Sequence, residues 1–246
     1  MESQYAIDDK LCSSFKCNIS LEASYEKEHD FYYFRLDRRK VLLNNRKPEK
    51  LMDRIVYEIG NSLYPLKLKV SPYLQIVNVD NLKEIYSRWK ACTEKSLQKN
   101  DTEQLRKYIR IAGANFFGKE QFIESLYRDT FVKLYFRDIY KQTAENERKL
   151  IRWDNFPEGK MNSSYLYRVE QTDSMIRTTG EVMKILPDME GTYQMEYKIG
   201  MKGEIGEING SVDKLHNNKK YSKQITITAE NVKAFDMNYK SLILDE

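Results

Sequence analysis

Between Phe15 and Tyr25, Phe15, Cys17, Ile19, Leu21, Ala23 and Tyr25 take every second position, and Lys16, Asn18, Ser20, Glu22 and Ser24 fill the others. A strand repeats its facing every two residues, so this segment can bury one side as a β-strand and could not do so as a helix. The alternation predicts a strand over 13–26. Lys27-Glu28-His29-Asp30 reads as a turn, and Phe31 to Leu43 as the returning strand of a hairpin.

The period then changes. Asn44-Asn45 can cap a helix starting near Pro48, with Leu51, Met52, Ile55, Val56, Ile59 and Leu63 at helical spacing and Pro65 as its stop. Leu66, Leu68 and Val70 alternate as a short strand, Ser71-Pro72 turns, and Tyr73–Val79 returns. Asp80 or Asn81 caps the next helix, whose stripe is Leu82, Ile85, Tyr86 and Trp89. Asn100-Asp101 breaks it, and Asp101 with Gln104 resembles a capping box for a helix through Leu105, Tyr108, Ile109 and Ala112. Gly113 and Gly118 bracket Phe116-Phe117 in a bend. One long helix is expected from Lys119 to Ala144, lined by Phe122, Ile123, Leu126, Tyr127, Phe131, Leu134 and Tyr135.

From Leu150 the period of two comes back. Tyr165–Val169, Met175–Val182, Thr192–Ile199 and Gln224–Thr228 read as strands. Asn162-Ser163, Gly191, Gly200, Gly203, Asn209-Gly210 and Asn217-Asn218 read as turns, with Asn209-Gly210 the strongest tight-hairpin signal. The expected fold is α+β: a curved antiparallel sheet, made of the N-terminal hairpin and the C-terminal meander, packed on a central block of about four helices. We read residues 1–246 as a single domain. A subdivision near Ala144 into 1–146 and 147–246 is the alternative. Some lipid and lipoprotein carriers share such an architecture, but likeness at that level licenses no function.

Charge narrows the partners. The 41 basic and 37 acidic residues leave a net +4, with the signs interleaved along the chain. Dense basic runs, such as Arg38-Arg39-Lys40 and Lys219-Lys220, are few, which argues against a nucleic-acid surface. Tyrosine is abundant, with 18 residues, and its amphipathic ring suits interfaces. Cys12, Cys17 and Cys92 fit no disulfide or metal framework, and unbridged thiols favour a reducing compartment. The first fifteen residues carry neither a basic nor an apolar leader region, and no stretch approaches the ~18 apolar residues of a membrane span. A cytoplasmic location is expected.

Catalytic chemistry finds little to stand on. A Ser or Cys nucleophile wants a histidine base, and the two histidines, His29 and His216, lie in polar turn-like segments. Glu26, Glu28, His29 and Asp30 read as solvated charge rather than a metal site. Gly200-Met201-Lys202-Gly203-Glu204-Ile205-Gly206 matches no phosphate-loop pattern. We therefore assign no catalytic residue, metal or cofactor.

The aromatic residues are more informative. Most of the series from Phe116 to Tyr140 reads as helix core, but Phe136 and Tyr140, spaced i, i+4, fall off the main stripe. Trp89, Phe116, Phe117, Phe136, Tyr140 and Trp153 are the candidate binding residues. The expected function is a non-enzymatic protein-binding module: an immunity or inhibitor protein, or an adaptor or structural component of a larger assembly. The alternative is a carrier of an apolar small molecule or lipid held between sheet and helices.

Overall fold

Among the described residues of the computed structural model, eleven strands are joined by antiparallel hydrogen bonding in one open order, β5-β4-β3-β2-β1-β11-β10-β9-β8-β7-β6, with five α-helices besides. The residues described are 1–137, 147–153, 163–172, 174–183, 189–200 and 203–230. The chain divides into two compact units, Cys17–Phe136 and Met1–Lys16 with Arg137–Glu246, and β2 (Lys10–Glu26) contributes to both.

The central unit contains the end of β2, β3 (Phe31–Leu43), α1 (Leu51–Asn61), β4 (Leu66–Val70) and β5 (Ile76–Val79). It continues with α2 (Leu82–Lys99), α3 (Glu103–Gly113), a single 3-10 turn (Ala114–Phe116), α4 (Lys119–Leu126) and α5 (Thr130–Tyr135). The hairpin expected from the alternation is present, with β2 extended back to Lys10. On β3 the buried side chains are Tyr32, Phe34 and Leu36, and then Val41. The switch from even to odd numbers spans Lys40, whose φ of 51° breaks the pleat so that Val41 faces inward.

Several local signals resolve differently from the expectation. Asn44 and Asn45, at φ 50° and 60°, do not cap α1. They form a tight turn closed by reciprocal hydrogen bonds between Leu43 and Arg46, because asparagine tolerates the left-handed region. α3 is capped by Thr102, whose hydroxyl accepts from the Leu105 amide, while the Asp101 carboxylate is engaged by Arg106. The expected long helix from Lys119 ends at Leu126. Asp129 then caps a separate helix, its Oδ1 accepting from the Phe131 and Val132 amides at 2.9 and 3.2 Å.

Two groups of side chains mark the core of this unit. Ile55, Ile59, Trp89 and Leu105 pack together from α1, α2 and α3. Phe34, Phe131, Tyr135 and Phe136 form an aromatic cluster, with the Phe34 and Phe136 rings edge-on at 5.2 Å. Arg38 reaches toward this end of the sheet. It lies 3.7 Å from Asp129 and stacks on the Tyr64 ring at 4.6 Å.

The other unit is built from β1 (Glu2–Ile7), β6 (Lys149–Trp153), β7 (Ser163–Thr172), β8 (Met175–Val182), β9 (Glu190–Ile199), β10 (Ile205–His216) and β11 (Lys219–Thr228), with the first residues of β2. β6 to β11 form the expected meander, and β11 then pairs with β1. Asn209-Gly210 is not a turn: both residues lie inside the continuous β10, and the hairpin turn is Asn217-Asn218, at φ 50° and 57°. Gly210 is needed for another reason, since a Cβ there would overlap the Gln194 carbonyl of β9 and crowd the Met195 sulfur.

One row of residues crosses this sheet on a single face: Tyr5, Lys223, Val212, Tyr193, Gly180 and Tyr167. Gly180 lets the Tyr167 and Tyr193 rings close to 5.7 Å across it, because a Cβ there would come within 2.8 Å of the Tyr167 backbone. Arg137 lies over the Tyr167 ring at 4.5 Å and donates to the Tyr193 hydroxyl at 2.6 Å. Burial raises the neighbouring Tyr197 hydroxyl well above its ordinary pKa, so it stays a neutral phenol. The helices thus fall in the central unit with β2–β5, and the meander belongs to the other. Among the described residues no helix is long and apolar enough to cross a membrane.

Candidate functional site

α2 begins where the chain leaves β5, and Asn81 fixes that exit. Its side-chain amide donates to the Pro65 carbonyl and its oxygen accepts from the Lys67 amide, both at 2.9 Å. Arg88, two turns on, donates to the carbonyls of Ser62 and Pro65, each at 3.1 Å. These bonds tie α2 to the segment before β4. They leave the side of the helix bearing Leu82, Lys83, Tyr86 and Trp89 toward the end of α3.

There a surface hollow of about 760 Å³ opens, lined by those four residues with Ser87, Ile109, Arg110, Gly113, Ala114, Phe116 and Phe117. Trp89 is its floor, 7% exposed and packed into the core of the central unit. Tyr86 stacks on Trp89 at 6.0 Å, and Phe116 lies 5.0 Å from Trp89 and 5.3 Å from Tyr86. Tyr86 is 44% exposed, and Phe117, just after the 3-10 turn, is 84% exposed. A folded chain gains nothing from holding a phenylalanine in water, and this pair places apolar exposure beside a concave surface.

Trp89, Phe116 and Phe117, three of the six candidate residues, therefore come together in one place. Phe136 and Trp153 do not join them. Phe136 is fully buried in the cluster with Phe34 and Phe131. Trp153 is also 0% exposed, with the Lys223 ammonium 5.5 Å from its ring and Tyr193 at 6.3 Å. Both are core side chains, which corrects their assignment to a binding surface. Tyr140 lies outside the described residues. Tyr86 was legible as part of the α2 stripe but not as an exposed residue. Lys83 and Arg110 carried no sequence signal, because only the crossing of α2 and α3 brings them to one rim.

The polar residues considered for chemistry are engaged elsewhere. His29 sits 3.5 Å from Glu26, and Glu26 also accepts from the Tyr33 hydroxyl at 2.9 Å, which draws its pKa below the usual value. Asp30 accepts from Tyr25 at 2.8 Å, and His216 lies beside Asn217. Burial pushes the Cys17 thiol up to about 11 and raises that of Cys92, so neither is a thiolate at neutral pH. None of the three cysteines forms a disulfide. Gly200, Gly203 and Glu204 lie between β9 and β10, with the Gly200 amide donating to the Glu204 carbonyl, and Gly206 is inside β10. Among the described residues no cluster of three or more His, Cys, Asp or Glu is placed to hold a metal.

What the hollow can do chemically is desolvate an apolar group against aromatic faces. No protein-family model matches the chain, and no curated protein matches its sequence.

Proposed function

We propose that the protein is a non-enzymatic protein-binding module and that the hollow between α2 and α3 is where it engages its partner. The observation that carries this reading is the juxtaposition of water-exposed Phe117 and Tyr86 with the buried edge of Trp89. Aromatic side chains around a well-packed floor are the usual anchors of protein interfaces, where a few such residues carry most of the binding energy. The hollow is open and its rim aromatics Tyr86 and Phe117 are 44% and 84% exposed, which suits a partner's protruding side chain better than an enclosed small molecule. An adaptor or inhibitor role in the cytoplasm is consistent with three cysteines held without a disulfide.

Native mass spectrometry of the protein purified from its source cells tests this, run beside the double variant Phe117→Ser, Tyr86→Ser. Both positions are exposed, so the variant keeps its fold. A protein that co-purifies with the wild type and is lost from the variant supports the reading. Equal retention by both moves the interface elsewhere, and a bound small apolar mass in place of a protein replaces the module with a carrier.

A further inference from the structure

We infer that the hollow between α2 and α3 takes an acidic amphipathic peptide segment, one that inserts an aromatic or aliphatic side chain over Trp89 and sets carboxylates beside it. The inference rests on the reading of the hollow as the binding surface and adds the chemistry of what binds there.

The charges of the rim set its chemistry. Eleven residues line the hollow, and the charged ones are Lys83 and Arg110, both exposed. Among the described residues no carboxylate lines it. Neither cation is in an ion pair among the described residues, although pairing is common nearby: Glu84 lies against Arg88, Lys90 against Glu94 and Arg106 against Asp101. The chain has nearly as many acidic as basic residues, so a rim with only positive charge is a local departure from its mixed surface. Lys83 comes from the first turn of α2 and Arg110 from the last turn of α3. Two cations from different helices thus share a rim whose floor is Trp89 and Phe116.

An occupant that brings carboxylates to this rim meets complementary potential, while its apolar side chain gains contact with Tyr86, Trp89, Phe116 and Phe117. A basic or neutral segment would gain the apolar contact alone. A guanidinium pairs well with a carboxylate, and its plane also rests on aromatic faces, which suits Arg110 to a mixed site. The exposure of Phe117 favours a peptide over a fatty acid, since a chain enclosed for transport would not leave its wall in water.

Selection from a random displayed-peptide library tests the inference, using the full chain as bait and the Phe117→Asp variant for counter-selection. The expected result is binders that pair aromatic or aliphatic residues with Asp or Glu. Their affinity should fall at least tenfold on the double reversal Lys83→Glu, Arg110→Glu, and weaken with added salt. Phe117-dependent binders without acidic residues would overturn the charge assignment and leave the binding surface standing. Failure to obtain any Phe117-dependent binder would overturn both. Sodium dodecanoate competing with the selected peptides no better than dodecanol would show that the rim reads carboxylates only within a peptide. Stoichiometric binding of dodecanoate in place of peptides would overturn the peptide assignment.

Discussion

The side-chain amide of Asn81 and the carbonyl of Pro65 are joined at 2.9 Å, and that bond sets where α2 starts. The same side chain satisfies the Lys67 amide, so one nearly buried residue serves a strand and a loop at once. Asn81→Ala leaves the Lys67 amide without this partner and is expected to cost about 2 kcal/mol. Pro65 keeps its bond from Arg88, so the loss stays short of unfolding. Thermal denaturation followed by tryptophan fluorescence measures it, and an unchanged midpoint would show that water replaces the amide.

Asp129 serves α5 in the same way. It caps the helix and lies 3.7 Å from Arg38, with both side chains partly buried. Asp129→Ala removes cap and charge together, with an expected cost of about 2 kcal/mol, and Asp129→Asn keeps an acceptor and costs about half of that. Equal losses for the two variants in urea titrations would assign the whole effect to the charge.

Cys17 predicts a pH dependence. Its thiol titrates at about 9 when solvated and at about 11 in the fold, where burial disfavours the thiolate. A raised acid holds its proton more tightly in the native state. Its contribution is therefore complete below pH 9 and is lost as the pH climbs through 11. Between pH 8 and 10 the wild type should lose about 1 kcal/mol more than Cys17→Ala. Parallel curves from denaturation at the two pH values would remove Cys17 as the cause.

Gly180 offers the sharpest test of the meander. A methyl group there would lie 2.5 Å from the Leu166 carbonyl and 2.7 Å from the Tyr167 Cβ, against the backbone of β7. Gly180→Ala is expected to cost 3 kcal/mol or about that, well beyond the penalty of an ordinary surface change. Asn218→Gly in the β10–β11 turn, at φ 57°, should be neutral or slightly stabilising, since glycine accepts that conformation without strain. Circular dichroism melts of the pair order the two effects, and the reverse order would contradict the register.

Strand positions were legible wherever one face is wet. Cys17 and Ile19 on β2, or Leu66 and Leu68 on β4, announce themselves by alternation, and Met175–Val182 is the observed β8. β10 was not legible, because Asn209-Gly210 imitates a hairpin turn inside it. The glycine is there for closeness to Gln194, a constraint set by a neighbouring strand and invisible to local pattern. Asp129 likewise looks like any helical residue until the Phe131 and Val132 amides turn to it. For the site, aromatic identity picked out Trp89, Phe116 and Phe117. It could not separate them from Phe136 and Trp153, since burial is decided by what packs on a ring and not by the ring.

The shared strand β2 has a consequence for biosynthesis. Every residue of the central unit lies between Lys16 and Arg137, so it leaves the ribosome before the meander exists. β1 faces Tyr221 to Thr226 of β11, which follows β10 in the chain. At about 5–20 residues per second, the nascent β1 waits roughly ten to forty seconds for its second neighbour. During that interval its free edge is open to any passing chain, and the short, polar run Glu2-Ser3-Gln4 makes it a poor template for aggregation.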